Sequence, residues 1–214
     1  MQVYLCPSPE LYPLYHRPNS IVIIVDIFRA STTMVAAFAH GAKGILPVAS
    51  TEEAEETGKR LGSLITAERN VVRCNFAQLG NDPAEYTTDL VSGREIVFTT
   101  TNGTRALTIA REYGAEEILV GALTNLRDVV VLAAGWKGQA SMEDMLYAGA
   151  FTVEAGAIAG DDTTRMVCDL WQDHAATLDA RTEYIKSSDH YVRLEQAGFA
   201  DCVTYCMSLS LFNL

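Results

Sequence analysis

Residues 20–31 read SIVIIVDIFRAS, and this short stretch limits the possible folds more than any other. Its five consecutive apolar residues, 21–25, carry no polar alternation, so a strand built from them is covered on both faces. That is the pattern of a central strand in an α/β sheet. The strand ends on Asp26, with Arg29, Ser31 and Thr32 directly behind it. In such sheets, polar residues just past the carboxyl ends of strands line the ligand crevice.

The rest of the chain repeats the alternation of strands and helices. Apolar runs predict strands at 3–5, 21–26, 44–48, 63–67, 94–99, 117–121 and 128–133. Helical patterns fall at 31–40 and 104–113, and behind Ser50, where STEE forms a capping-box pattern. The C-terminal third reads as helical, at 142–158, 161–176, 182–186, 189–197 and 200–209. The expectation is one domain over 1–214, a three-layer α/β/α arrangement with a mostly parallel, mixed sheet. One link does not fit. ALTNLR, between the strands at 117–121 and 128–133, is shorter than a parallel crossover, so this pair reads as an antiparallel hairpin unless residues are missing there.

Composition narrows the function. With 214 residues, 49% of them hydrophobic and 20% charged, the chain can bury a substantial core. Its net charge of −11 repels a nucleic-acid backbone, so any anionic ligand needs a local exception made of arginines, backbone N–H groups or a metal. The five cysteines are scattered, and no signal peptide or membrane-length apolar run is present, which points to reduced thiols in the cytoplasm. Cys202 and Cys206, four apart, read as core thiols. The common nucleotide-binding loops, the α/β-hydrolase nucleophile motif and the zinc-protease helix motif are all absent.

Two strand ends carry the exception. In FTTTNGTRA a strand runs through Thr100, Thr101, Asn102 and Gly103 into a helix, placing hydroxyls and free backbone N–H groups where an anion can sit. DIFRASTT repeats the design and adds a carboxylate and a guanidinium, Asp26 for Mg²⁺ and Arg29 for an oxyanion, with Ser31 and Thr32 as donors. Each motif alone is also an ordinary cap; two in one acidic chain favour ligand binding. Glu68, just past another strand, and Glu143 with Asp144, in a first helical turn, are candidate metal ligands that also read as plain caps. His190 is a candidate for proton transfer or phosphate contact.

Taken in order and spacing, VDIFRASTT, GAKGILPVAS, AERN, LGNDPAEY, FTTTNGTRAL and SMEDMLYAGA resemble the 2-phosphosulfolactate phosphatase family over nearly the whole chain. The resemblance implies an α/β/α fold and Mg²⁺-dependent hydrolysis of 2-phospho-3-sulfolactate, a step that belongs to coenzyme M synthesis in methane-producing archaea. It carries the functional positions onto Asp26, Arg29, Ser31, Thr32, Glu68, Asn81, Thr100, Thr101, Asn102, Gly103, Glu143 and Asp144. Arg69 or Arg105 is the expected second cation, for the sulfonate or carboxylate. Asp82 stands where the family usually has serine, Ala134 where it often has cysteine, and family members carry a helix between the strands at 117–121 and 128–133. The expected partner is a small anionic phosphorylated substrate, with no nucleic acid and no membrane. The apolar tail MSLSLFNL suggests a homodimer. The alternatives are a phosphatase for another phosphorylated hydroxy acid and a non-catalytic domain that binds a phosphorylated metabolite.

Overall fold

The computed structural model describes residues 2–18, 20–115, 117–124 and 132–211. In chain order, β1 (Gln2–Val3), a 3₁₀ turn and α1 (Tyr12–Tyr15) lead to β2 (Ile21–Val25) and α2 (Ala30–Ala39). Then come β3 (Gly44–Pro47), α3 (Thr51–Leu61), β4 (Leu64–Arg69) and the short β5 (Val72–Arg73). A second 3₁₀ turn, α4 (Thr88–Val91), β6 (Glu95–Thr99), α5 (Gly103–Glu112), β7 (Glu117–Gly121) and β8 (Leu132–Ala133) follow. The remainder holds α6 (Met142–Glu154), β9 (Ile158–Ala159), α7 (Asp162–His174), α8 (Leu178–Ile185), α9 (Asp189–Gln196) and α10 (Cys202–Cys206).

β2 is central, as its unbroken apolar run demands. It pairs in parallel with β7 on one side and β8 on the other. β7 and β8 do not form the hairpin that a six-residue link would require; each satisfies one edge of β2. Only the end of the strand expected at 128–133 is described, and residues 128–131 lie outside the described residues. A second group, β3-β6-β4-β5, is parallel except for the tight β4–β5 pair, and β1 pairs in parallel with β9. The fold is mixed α/β and mostly parallel, as expected.

Local chemistry fixes several boundaries. Ser50 Oγ accepts the Glu53 N–H at 3.1 Å to cap α3, while the Glu53 carboxylate takes the Ala49 N–H at 3.0 Å. The helix expected over 142–158 stops at Glu154. There Gly156 adopts a φ of +56°, the left-handed conformation that ends helices, and frees Ile158 and Ala159 to pair with β1. The C-terminal helices cover the sheet through a cluster that includes Val25, Ile27, Phe28, Leu146, Trp171 and Leu194. α6 and α7 pack closely because Gly149 presents no side chain to the Val167 carbonyl. The apolar tail lies at the edge of the description, with residues 212–214 outside the described residues. Among the described residues, no helix is long and apolar enough to cross a membrane.

Candidate active site

The end of β2 turns straight into α2, and the turn is tied locally. Ser31 Oγ accepts the Asp26 N–H at 3.0 Å, the Ala30 N–H donates to Asp26 Oδ1 at 3.2 Å, and the Thr32 hydroxyl donates to the Ile27 carbonyl at 2.9 Å. Ser31 and Thr32 thus shape the loop that aims Asp26. The proton of Thr32 is committed to the backbone, so its reading as an oxyanion donor gains no support from its contacts.

The acids of the α6 first turn do not behave as a solvated cap. Glu143 is 1% exposed and Asp144 2% exposed, and both point back at the strand ends. Asp144 accepts the Ile27 N–H at 2.9 Å through Oδ1 and the Gly135 N–H at 3.1 Å through Oδ2, bracing the loops after β2 and β8. Burial, then Glu143 and Asp26, push its carboxyl well above the usual range, against those two N–H bonds. Glu143 Oε1 lies 2.6 Å from His190 Nδ1 on α9, while Oε2 is buried with no hydrogen-bond partner among the described residues. Sequence spacing brought Glu143 and His190 forward separately; the fold makes them a pair.

Asp26 completes the group. Burial pushes its carboxyl up to about 6; His190 and the Ala30 N–H oppose this, and Glu68 and Glu143 add to it. Glu68 is 7% exposed and its Oε1 accepts the Val71 N–H at 2.6 Å. A buried group of acids in which Asp26 and Asp144 are held above the usual carboxylate range suits a bound cation. Asp26 and Glu143 are the best placed to hold one, since Asp144 has a backbone donor on each oxygen. Among the described residues, no three His, Cys, Asp or Glu side chains converge as a ready-made metal cage.

Facing Asp26 is the start of α5. A methyl built on Gly103 would sit 3.4 Å from Asp26 Oδ2 and 3.3 Å from Thr100 Oγ1, so the three line one small space. Thr100 Oγ1 and Thr101 Oγ1 are buried and unpaired among the described residues, while the Thr104 hydroxyl bonds back to the Thr100 carbonyl at 3.0 Å. Asn102 caps α5 through its backbone position, without a side-chain cap bond. The first N–H groups of α5 have no intrahelical acceptor and point into this space. A buried, unpaired hydroxyl costs on the order of 1–3 kcal/mol, and two adjoining a helix N-terminus form an anion cradle.

The cations are placed differently from expectation. Arg29 is 2% exposed, with its guanidinium 4.4 Å over the Phe199 ring and its Nη2 3.5 Å from the carbonyl of Val71, the residue whose N–H donates to Glu68. Its Nη1 is 3.9 Å from Asp82 and lacks a hydrogen-bond partner among the described residues. Asp82 therefore takes up part of the charge that Arg29 would otherwise offer. Asn81, 4% exposed with Oδ1 unpaired among the described residues, lies in the same loop, which Tyr86 holds by donating to the Gly80 carbonyl at 2.8 Å. The Cys202 thiol, hydrogen-bonded to Cys206 and beside Arg29, is held below its usual value. Arg69 bonds the Glu68 carbonyl at 2.7 Å, and Arg105 forms a 2.7 Å ion pair with Glu10 at 54% exposure. Arg69 Nη2 also donates to Thr99 Oγ1 at 3.3 Å, directly before the Thr100–Gly103 cradle, whereas Arg105 is drawn to Glu10.

Two cavities border the cluster. One, of about 190 Å³, has Asp26, Ser31 and Gly103 at one end and apolar side chains such as Met34, Phe38 and Ile118 around the rest. The other, of about 230 Å³, is bounded by Glu143, His190, Ser187, Ser188, Arg193 and Trp136. Its polar walls suit a polyanion better than the first. Arg193 and Trp136 line this cavity and were not singled out from sequence; the usable signal was Arg193 three residues after His190 on one helix face.

A family model described as 2-phosphosulpholactate phosphatase matches residues 6–214. The chain belongs to that family. Its relatives include a protein of Thermotoga maritima named probable 2-phosphosulfolactate phosphatase, 34% identical over 201 residues, covering 89% of this chain and 86% of the relative. A protein of the same name from Caldanaerobacter subterraneus subsp. tengcongensis is 31% identical over 210 residues, covering 90% of this chain and 85% of the relative. The activity these names describe is that of a phosphoric monoester hydrolase.

Proposed function

We propose that this chain is a Mg²⁺-dependent phosphatase that hydrolyses 2-phospho-3-sulfolactate to 3-sulfolactate and phosphate. The observation that carries the reading is the cradle: unpaired, buried Thr100 and Thr101 hydroxyls and Gly103 facing Asp26. Family membership and the names of the relatives supply the substrate.

Asp26 and Glu143 would hold the metal, with Glu68 near enough to add charge. Mg²⁺ is commonly held by one or two carboxylates, waters and substrate phosphate, so Asp26 and Glu143 would be enough to hold it. When bound, Mg²⁺ supplies positive charge against the phosphoryl oxygens and orients the attacking water. The chain's own groups do the rest. Thr100, Thr101 and the α5 N–H groups hold the non-bridging oxygens as their charge redistributes. Gly103 lets the phosphoryl group approach the backbone. Asp144 fixes the loop that aims Asp26. His190, oriented by Glu143, is the group in the cavity whose ring nitrogens can pass a proton. The five free cysteines fit a reducing compartment, and the proposal places the enzyme in the cytoplasm.

The test is phosphate release from 2-phosphosulfolactate, 2-phospholactate and phosphoglycolate, with and without Mg²⁺. Mg²⁺-dependent release that favours the sulfonated substrate is expected. Release only from the unsulfonated acids would discard the substrate, and no release from any would return the chain to a binding role.

A further inference from the structure

We infer that the cavity between Trp136 and α9 is the subsite for the sulfonate arm of the substrate, with Arg193 as its specificity-determining residue. The inference rests on the proposed phosphatase reading and adds a residue that neither the motifs nor the comparisons assign.

Three observations carry it. First, the cavity of about 230 Å³ shares the Glu143–His190 pair with the carboxylate cluster, so it continues the reaction site outward from Asp26. Second, Arg193 is placed but not spent. Its guanidinium lies 4.5 Å over the Trp136 ring, and its Nε is buried with no hydrogen-bond partner among the described residues. A donor held by stacking and left unpaired is prepared for an acceptor that the protein does not supply. Third, Lys137 lies 5.4 Å over the same indole and adds positive charge beside Arg193. Ser187 and Ser188, at the start of the eight-residue α9, shape the wall and are engaged within the chain itself, Ser187 donating to the Tyr184 carbonyl and Ser188 Oγ accepting the Tyr191 N–H. The negative groups are Glu143, engaged with His190, and the exposed Asp189 at the rim.

The chemistry of the substrate fits this layout. The phosphate ester oxygen and the carboxylate both attach at C2, whereas the sulfonate sits on C3, one bond farther from phosphorus. With the phosphoryl group at the Thr100–Gly103 cradle, the acid that reaches past His190 is the sulfonate. A sulfonate is ionised at all working pH values and offers three weakly hydrated oxygens, well matched to a guanidinium beside an aromatic wall. Of the cations expected from sequence, Arg105 is paired with Glu10, and Arg69 bonds the Glu68 carbonyl and Thr99 Oγ1 at the cradle end of the site rather than the end past His190.

The experiment compares kcat and KM for 2-phosphosulfolactate and 2-phospholactate in the wild type, R193Q and R193K. The second substrate keeps the phosphate and carboxylate and lacks only the sulfonate. Loss of one charge-assisted contact predicts that R193Q loses roughly 10- to 100-fold of the preference for the sulfonated substrate, mostly through KM, with partial recovery in R193K. An unchanged preference, or an equal loss on both substrates, overturns the assignment. Calorimetric titration with 3-sulfolactate separates this from the phosphatase reading. If the wild type releases no phosphate but binds 3-sulfolactate in an Arg193-dependent way, the subsite stands and the activity falls. If R193Q binds 3-sulfolactate as tightly as the wild type, the subsite falls.

Discussion

Gly103 separates function from stability in a single substitution. Its φ is not in the left-handed region, so G103A costs nothing in backbone conformation. Alanine is favoured over glycine in a helix by up to about 1 kcal/mol, less in the first turn. Against this, the added methyl meets Thr100 Oγ1 and Ala30 Cβ at 3.3 Å and Asp26 Oδ2 at 3.4 Å. Relieving those contacts takes shifts of a few tenths of an ångström and about 1 kcal/mol. The two effects nearly cancel, so Tm should move by no more than about 4 °C. Activity has no such offset. The methyl occupies the cradle and displaces the Asp26 carboxylate, and misplacement on this scale costs on the order of 100-fold in kcat/KM. G149A is the contrast: its methyl would overlap the Val167 carbonyl oxygen, which is backbone and cannot step aside. Prising α6 from α7 should cost about 3 kcal/mol and lower Tm by roughly 6–12 °C. Thermal melts and phosphate-release kinetics on both variants decide the matter. Full activity in G103A would refute the cradle. A melt as low as that of G149A would mean that Gly103 is there for packing alone.

Further outcomes follow from the same contacts. Tyr86 is fully buried, with its hydroxyl bonded to Thr66 at 2.6 Å and to the Gly80 carbonyl at 2.8 Å, so Y86F leaves both without that partner. It should lower stability by about 1–3 kcal/mol in urea titrations with an unchanged slope. Burial pushes the Cys6 thiol up to about 12, so its thiolate fraction at pH 8 is about one in ten thousand. Alkylation of the native protein at pH 8, read by peptide mass spectrometry, should therefore spare Cys6 and label it only after unfolding. In the native state the half-buried Cys74 is expected to react before Cys6.

How much of this was legible in the sequence depended on whether the signal was local. The β2 run, the Ser50 cap and the turn into α5 are set within a few residues, and they appear where the chain placed them. The end of α6 was equally local, in Gly156, but the apolar pattern running past it masked the stop. The arrangement of β7 and β8 was not legible, because link length limits what neighbouring strands can do and says nothing of strands separated by a third. At the site, the sequence singled out residues one by one but did not show which of them the fold brings together. First-turn acids are ordinary caps in most helices, and only the tertiary fold buries Glu143 against His190, 47 residues away. Arg29 stood beside Asp26 in sequence, yet its side chain packs against Phe199 and Asp82 instead. Arg193 carried only its spacing from His190 on one helix face, and its stacking on Trp136 shows only in the fold.

The central claim is a metal-assisted phosphatase centred on Asp26. The most direct measurement is phosphate release from 2-phosphosulfolactate by chelator-treated protein titrated with Mg²⁺, run in parallel on D26N. Saturable activation from a baseline near zero in the wild type, and none in a folded D26N, is the predicted result. Full turnover in the metal-free wild type, or normal activation in D26N, would contradict it.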